Sequence, residues 1–176
     1  HGSRRASNTE SLDIRQLTSG KWEVMEVLGF NRKRKSIIIA SNECSPIQRN
    51  IFLVDTQTGK RTMMDDCGKG WHNATLSESG QFVYDNYSTP DVPRKIAIVN
   101  TENGKRTASF TAENPWKGYN VPEYSCGTVK AADGETDLYW RMVKPTNFNP
   151  AKKYPTIIYV YGGPHAHNVD ARRNYS

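Results

Sequence analysis

One stretch of this chain has residue types that suggest catalysis. Lys152-Lys153-Tyr154-Pro155 leads into Thr156-Ile157-Ile158-Tyr159-Val160-Tyr161, and Gly162-Gly163-Pro164 follows. All six residues of the middle run are β-branched or aromatic, which predicts a buried strand over Thr156–Tyr161. Pro155 starts that strand at a position where a missing N–H does little harm. Glycines just past a strand let backbone N–H groups approach a ligand closely. A donor held there can stabilise the negative oxygen of a tetrahedral acyl-transfer intermediate. By itself, Gly-Gly-Pro is a common tight turn, and Tyr161 is an aromatic packing at a strand end.

The other catalytic parts are missing from the sequence. No Gly-x-Ser-x-Gly elbow occurs, so no nucleophile is assigned. His165 and His167 follow the turn without a carboxylate at ligand spacing and are read as polar loop residues. His72, beside Trp71 on a strand-like run, is read as a structural histidine. Cys44, Cys67 and Cys126 form no CxxC, so no metal site is expected; one disulfide is possible, and the sequence does not choose its pair.

The elements around this turn are β-rich. Ile51-Phe52-Leu53-Val54-Asp55-Thr56-Gln57-Thr58-Gly59-Lys60-Arg61-Thr62 recurs 45 residues later as Ile96-Ala97-Ile98-Val99-Asn100-Thr101-Glu102-Asn103-Gly104-Lys105-Arg106-Thr107, with seven positions identical. Each copy reads as strand, glycine turn, strand, and Phe52/Val54 against Leu53/Asp55 alternate as on a half-exposed strand. Two more strand-like runs precede each copy, Trp22–Phe30 and Ser36–Ala40, then His72–Ser77 and Gln81–Tyr87. Four antiparallel strands repeating at about 40–45 residues match a β-propeller blade. Ile14–Thr18 is read as the last strand of a preceding blade. A stand-alone β-sandwich would need no such repeat.

After Phe110 the pattern changes. Residues 111–122 hold Pro115, Gly118 and Pro122 and read as a linker. Glu123–Lys130 and Thr136–Val143 form a hairpin around Asp133-Gly134. Two antiparallel strands, a loop and an apolar third strand are how an α/β-hydrolase sheet opens. The expected fold is therefore mainly β: residues 1–10 a tag remnant or disordered start, 11–110 two propeller blades, 111–122 a linker, and 123–176 the first strands of an α/β-hydrolase domain.

Composition narrows the function classes. Hydrophobic residues make up 36% and charged residues 24%, a globular balance. No run approaches the ~20 apolar residues of a membrane span. The net charge of +6 is spread along the chain. Its densest cluster, Arg32-Lys33-Arg34-Lys35, has no aromatic platform and is expected to be a solvated turn, so no nucleic-acid partner is expected. Asn73-Ala74-Thr75, Asn86-Tyr87-Ser88 and Asn174-Tyr175-Ser176 are formal glycosylation sequons.

Taken in order, Arg15–Val24, Glu43–Pro46, Gly70–Ser77 with Gly80, Asp85–Pro93 and Lys153–Ala166 resemble the dipeptidyl peptidase IV group of the prolyl oligopeptidase-like serine peptidases, most closely its bacterial members. The resemblance implies an eight-bladed propeller capping an α/β-hydrolase domain, of which this chain holds the last two blades, the linker and the first hydrolase strands. It implies release of Xaa-Pro dipeptides from proline-containing peptides, a homodimeric parent, a periplasmic or extracellular location, and no cofactor. It places Tyr161 as the oxyanion-hole donor, with Gly162 beside it at the substrate. The triad lies outside these residues, so the chain alone is expected to be inactive. The alternative is a non-enzymatic β-repeat module that binds peptides or proteins.

Overall fold

A computed structural model describes residues 13–65, 69–163 and 167–173. Among them every regular element is a β-strand. The first sheet is an antiparallel meander of β1 (Val24–Asn31), β2 (Ser36–Ser41), β3 (Asn50–Asp55) and β4 (Arg61–Met63). The second repeats it with β5 (Trp71–Leu76), β6 (Phe82–Ser88), β7 (Lys95–Asn100) and β8 (Arg106–Thr111). This is the blade-like repeat that the 45-residue period predicts.

The two sheets pack face to face. Ile38 and Ala40 on β2 and Ile51 and Leu53 on β3 meet Val83 on β6 and Val99 on β7, with Leu28, Ala74 and Leu76 at the margin. Every second residue points the same way on a strand, so the intervening Ile39, Phe52 and Val54 face outward from this seam. They are nevertheless buried. Leu17 and Trp22 from the preceding segment cover them. Both faces of β3 are therefore closed, unlike the half-exposed strand that its alternation predicts. Ile14–Thr18 forms no strand; the segment acts as a cover, tied down by the Arg15 side chain donating to the Thr56 carbonyl.

The repeated turns fold alike. Asp55 Oδ1 accepts from the Gln57 and Thr58 N–H groups, and Gly59 N–H closes on the Asp55 carbonyl at 2.8 Å. In the second copy Asn100 Oδ1 accepts from Glu102 N–H, and Gly104 N–H closes on the Asn100 carbonyl at 2.8 Å. Both glycines sit at positive φ, 72° and 71°.

Polar residues also join the sheets. The Asn31 side chain donates to Thr101 Oγ1 at 2.8 Å, and that hydroxyl donates to the Gly80 carbonyl at 2.8 Å. Arg34 donates to the carbonyls of Thr101 and Glu102, and Lys33 pairs with Glu102 at 2.8 Å. The basic cluster at 32–35 thus grips the neighbouring sheet, beyond the solvated turn expected of it.

A separate hairpin follows. β9 (Glu123–Lys130) and β10 (Asp137–Lys144) pair in continuous register around Asp133-Gly134. Residues 112–122 between β8 and β9 carry no strand.

The expected strand over Thr156–Tyr161 is not formed. None of the described strands pairs with this run, and its side chains from 157 to 161 are exposed, from 57% at Tyr161 to 97% at Ile157. The cause is physical. A fully apolar strand is stable only with neighbours on both edges and covers on both faces, and the described sheets supply neither.

Candidate functional site

Three places bring chemistry-bearing side chains together. The first is the run ending in Tyr161. Tyr154 anchors its start: the ring lies 5.2 Å from Phe148, and the hydroxyl accepts from Asn149 N–H at 3.0 Å. Beyond it, Tyr161 and Gly162 lie on the exposed segment. The Tyr161 ring folds over Gly163, where an added Cβ would stand 2.7 Å from the ring edge. Gly162 has open space around it. His165 falls outside the described residues.

The second is a buried cluster under the seam. His72 on β5 is fully buried and meets the Asp85 carboxylate of β6 through Nδ1 at 2.9 Å. The ring's other nitrogen stands 3.2 Å from the Lys69 carbonyl. Arg106, at the start of β8, donates to the same Asp85 oxygen at 2.6 Å. Tyr87 stacks on His72 with ring centroids 4.6 Å apart, and the Arg106 guanidinium lies over the Tyr87 ring, 4.9 Å from its centroid. The cluster holds strands together, as expected of a structural histidine.

The third is a cleft of about 280 Å³ between the second sheet and the segment 167–173. Trp71 and Asn73 on β5, Ser88 on β6, Arg94 just before β7, and Arg172 and Arg173 line it. The segment docks through Ala171 N–H to the Ile47 carbonyl at 2.7 Å and Arg173 N–H to Ser88 Oγ at 3.3 Å. Arg172 lies over the Trp71 ring at 5.5 Å and pairs with Asp170 at 2.8 Å. His167, read as a loop residue, stands 6.0 Å from Trp71 and 3.0 Å from Asp170. Asp91, three residues before Arg94, is held under the usual carboxylate range, chiefly by the Thr89 hydroxyl that donates to it at 2.6 Å. Asn86, one of the sequon asparagines, accepts from Arg94 Nε at 3.0 Å.

The structure does not bring Tyr161 and the cleft into any described contact. Sequence reasoning missed the cleft. Its arginines lie far apart in the chain, and only the Arg172-Arg173 pair offered a signal. Among the described residues no group of three or more His, Cys, Asp or Glu side chains could hold a metal ion, and no helix is long and apolar enough to cross a membrane.

Comparison with known proteins gives a consistent family. Residues 4–94 match the family model of the dipeptidyl peptidase IV (DPP IV) N-terminal region. Dipeptidyl peptidase 4 of Trichophyton equinum is 31% identical over 163 residues, covering 90% of this chain and 21% of that protein. A probable dipeptidyl-aminopeptidase B of Sclerotinia sclerotiorum is 30% identical over 165 residues, covering 90% of this chain and 18% of that protein. A solved structure from Bacteroides ovatus, assigned as a dipeptidyl aminopeptidase IV, superimposes with a TM-score of 0.80 at 48% identity, covering 90% of this chain and 22% of that one. Porphyromonas gingivalis dipeptidyl peptidase 4 shares the fold, with a TM-score of 0.82 at 23% identity, covering 92% of this chain and 23% of that one. The chain thus spans about a fifth of the length of the relatives it matches.

Proposed function

Because this chain belongs to the dipeptidyl peptidase IV family, we propose that it is part of a serine exopeptidase releasing Xaa-Pro dipeptides from the N-termini of proline-containing peptides. On this proposal residues 11–110 are two propeller blades, 111–122 a linker, and 123–176 the opening strands of an α/β-hydrolase domain. The supporting observation is their combination in one chain. Two blade-like sheets of the family's propeller region precede an exposed apolar run ending in Tyr161-Gly162-Gly163. A run that pairs with none of the described strands, and with side chains suited to a sheet centre, is what a hydrolase strand would look like away from its sheet.

The chemistry assigned to these residues is limited to the oxyanion. When a serine attacks the scissile carbonyl, negative charge develops on its oxygen. The Tyr161 hydroxyl donates a hydrogen bond to that oxygen, and Gly162 leaves the substrate backbone room to approach. Nucleophile, base and acid are assigned to residues outside this chain. A homodimeric parent, a periplasmic or extracellular location and the absence of a cofactor belong to the same proposal.

The test uses the parent protein and a Gly-Pro chromogenic amide. Tyr161→Phe is expected to lower kcat by about 10²–10³, the effect of losing one oxyanion donor, with a smaller change in KM. An unchanged kcat removes Tyr161 from catalysis. Turnover by the 176-residue chain alone would overturn the assignment of the nucleophile elsewhere.

A further inference from the structure

We propose that the cleft between the second sheet and segment 167–173 binds the oxyanion group, carboxylate or phosphate, of a small ligand. Three guanidinium groups and no carboxylate line it: Arg94, Arg172 and Arg173. Each is fixed by an anchoring contact. Arg94 Nε donates to Asn86 Oδ1 at 3.0 Å, Arg172 Nη2 to Asp170 Oδ2 at 2.8 Å, and Arg173 Nη2 to Asn114 Oδ1 at 3.0 Å. A guanidinium presents five donors in a rigid fork that matches carboxylate and phosphate geometry, and the anchors set the plane of each fork before a ligand arrives. Asn73 and Ser88 add neutral polar groups to the same wall.

The aromatic wall restricts the choice. Arg172 covers one face of Trp71 and His167 stands tilted beside the ring. The indole therefore stiffens the cationic wall, and the ligand is recognised by its charge. The neighbouring carboxylates have partners of their own: Asp170 pairs with Arg172 and His167, and Asp91 accepts from the Thr89 hydroxyl and feels the charges of Lys69 and Arg173. The cleft is large enough for a small anion with a short organic body.

Calorimetric titration of this chain at fixed ionic strength, with inorganic phosphate in one arm and succinate in the other, tests the proposal. One saturable site is expected in at least one arm. Saturation by phosphate alone assigns a phosphoryl ligand, by succinate alone a carboxylate, and by both an oxyanion in general. Arg94→Gln and Arg172→Gln should each weaken binding about tenfold, the loss of one charge-assisted hydrogen bond. Arg141→Gln, an exposed arginine on β10, removes the same charge elsewhere and should leave binding unchanged. Absence of saturation in both arms would overturn the proposal, and so would equal weakening by Arg141→Gln and Arg94→Gln.

Discussion

The Asn31 side-chain amide donates to the Thr101 hydroxyl at 2.8 Å, and both residues are fully buried where the first sheet meets the second. Thr101 passes the bond on to the Gly80 carbonyl, and Asn31 Oδ1 accepts from Arg34 N–H at 3.0 Å. The hydroxyl is therefore the link between two loops of different sheets. Thr101→Val keeps the shape and strands a buried amide and a buried carbonyl. It should cost about 1–3 kcal/mol, read as a lower urea midpoint, while Thr101→Ser should recover most of the loss. Equal midpoints for Val and native chains would show that the apolar contacts alone hold the seam.

The sequence repeat offers a matched pair of glycines. Gly59 and Gly104 occupy equivalent turn positions at nearly the same positive φ. Their surroundings differ. A Cβ on Gly59 would stand 2.4 Å from the Leu17 carbonyl oxygen, whereas one on Gly104 meets nothing within 4 Å. Gly104→Ala should cost only the left-handed strain, about 1–2 kcal/mol. Gly59→Ala should cost more, because the covering segment must also move. Equal losses by denaturant titration would mean that Leu17 yields freely and that the cover contributes little.

These cases show what the sequence could and could not carry. Turns were legible because their chemistry is local: aspartate or asparagine, then glycine, at fixed spacing. The hairpin around Asp133-Gly134 was legible for the same reason. Burial was less so. Phe52 and Val54 alternate like a solvent face, yet residues 17 and 22 close over them, which alternation cannot report. Thr156–Tyr161 has strand residue types, but a strand is a pairing, and pairing depends on neighbours beyond the run. The arginine cleft depends on a return of the chain from residue 173 to residue 88, a contact with no local signature.

Acid should weaken this fold in part through Asp55. Its carboxyl is held below the ordinary value of 3.8 by the Thr58 N–H, then by the Gln57 N–H. A depressed folded value means that the unfolded chain takes up a proton first as pH falls. The contribution is thus complete above about pH 4 and is lost as pH drops through the lower folded value. Asp55→Asn keeps an acceptor oxygen, as Asn100 does in the second copy, and removes the titration. Native and variant chains should be similar at neutral pH, and the native should lose more stability as pH falls below about 4. Parallel pH profiles would remove Asp55 from acid unfolding.

Asp85 should be among the costliest single changes. It is buried and accepts from both Arg106 and His72. Asp85→Asn takes away the negative charge under a guanidinium and should cost about 3–5 kcal/mol. Arg106→Met in the same chain also removes the guanidinium that Asp85 faces. The double variant should therefore be more stable than the sum of the single losses predicts. Additive losses would mean that the two residues act independently despite the 2.6 Å contact.

The exposed run Ile157-Ile158-Tyr159-Val160 should govern association of this chain in solution. It combines high β-propensity, four consecutive apolar or aromatic residues and no charge, the composition that pairs edge to edge with another copy. A competing surface exists on the second sheet, where Phe82, Tyr84 and Phe110 are also exposed. Ile158→Lys separates the two, since a charge within the run disfavours strand pairing and leaves that sheet untouched. Sedimentation velocity should show concentration-dependent association of the native chain and a shift toward monomer for Ile158→Lys. A native chain that sediments as a monomer at micromolar concentrations would overturn the expectation. An Ile158→Lys chain that associates as strongly as the native would place the contact on the sheet face carrying Phe82.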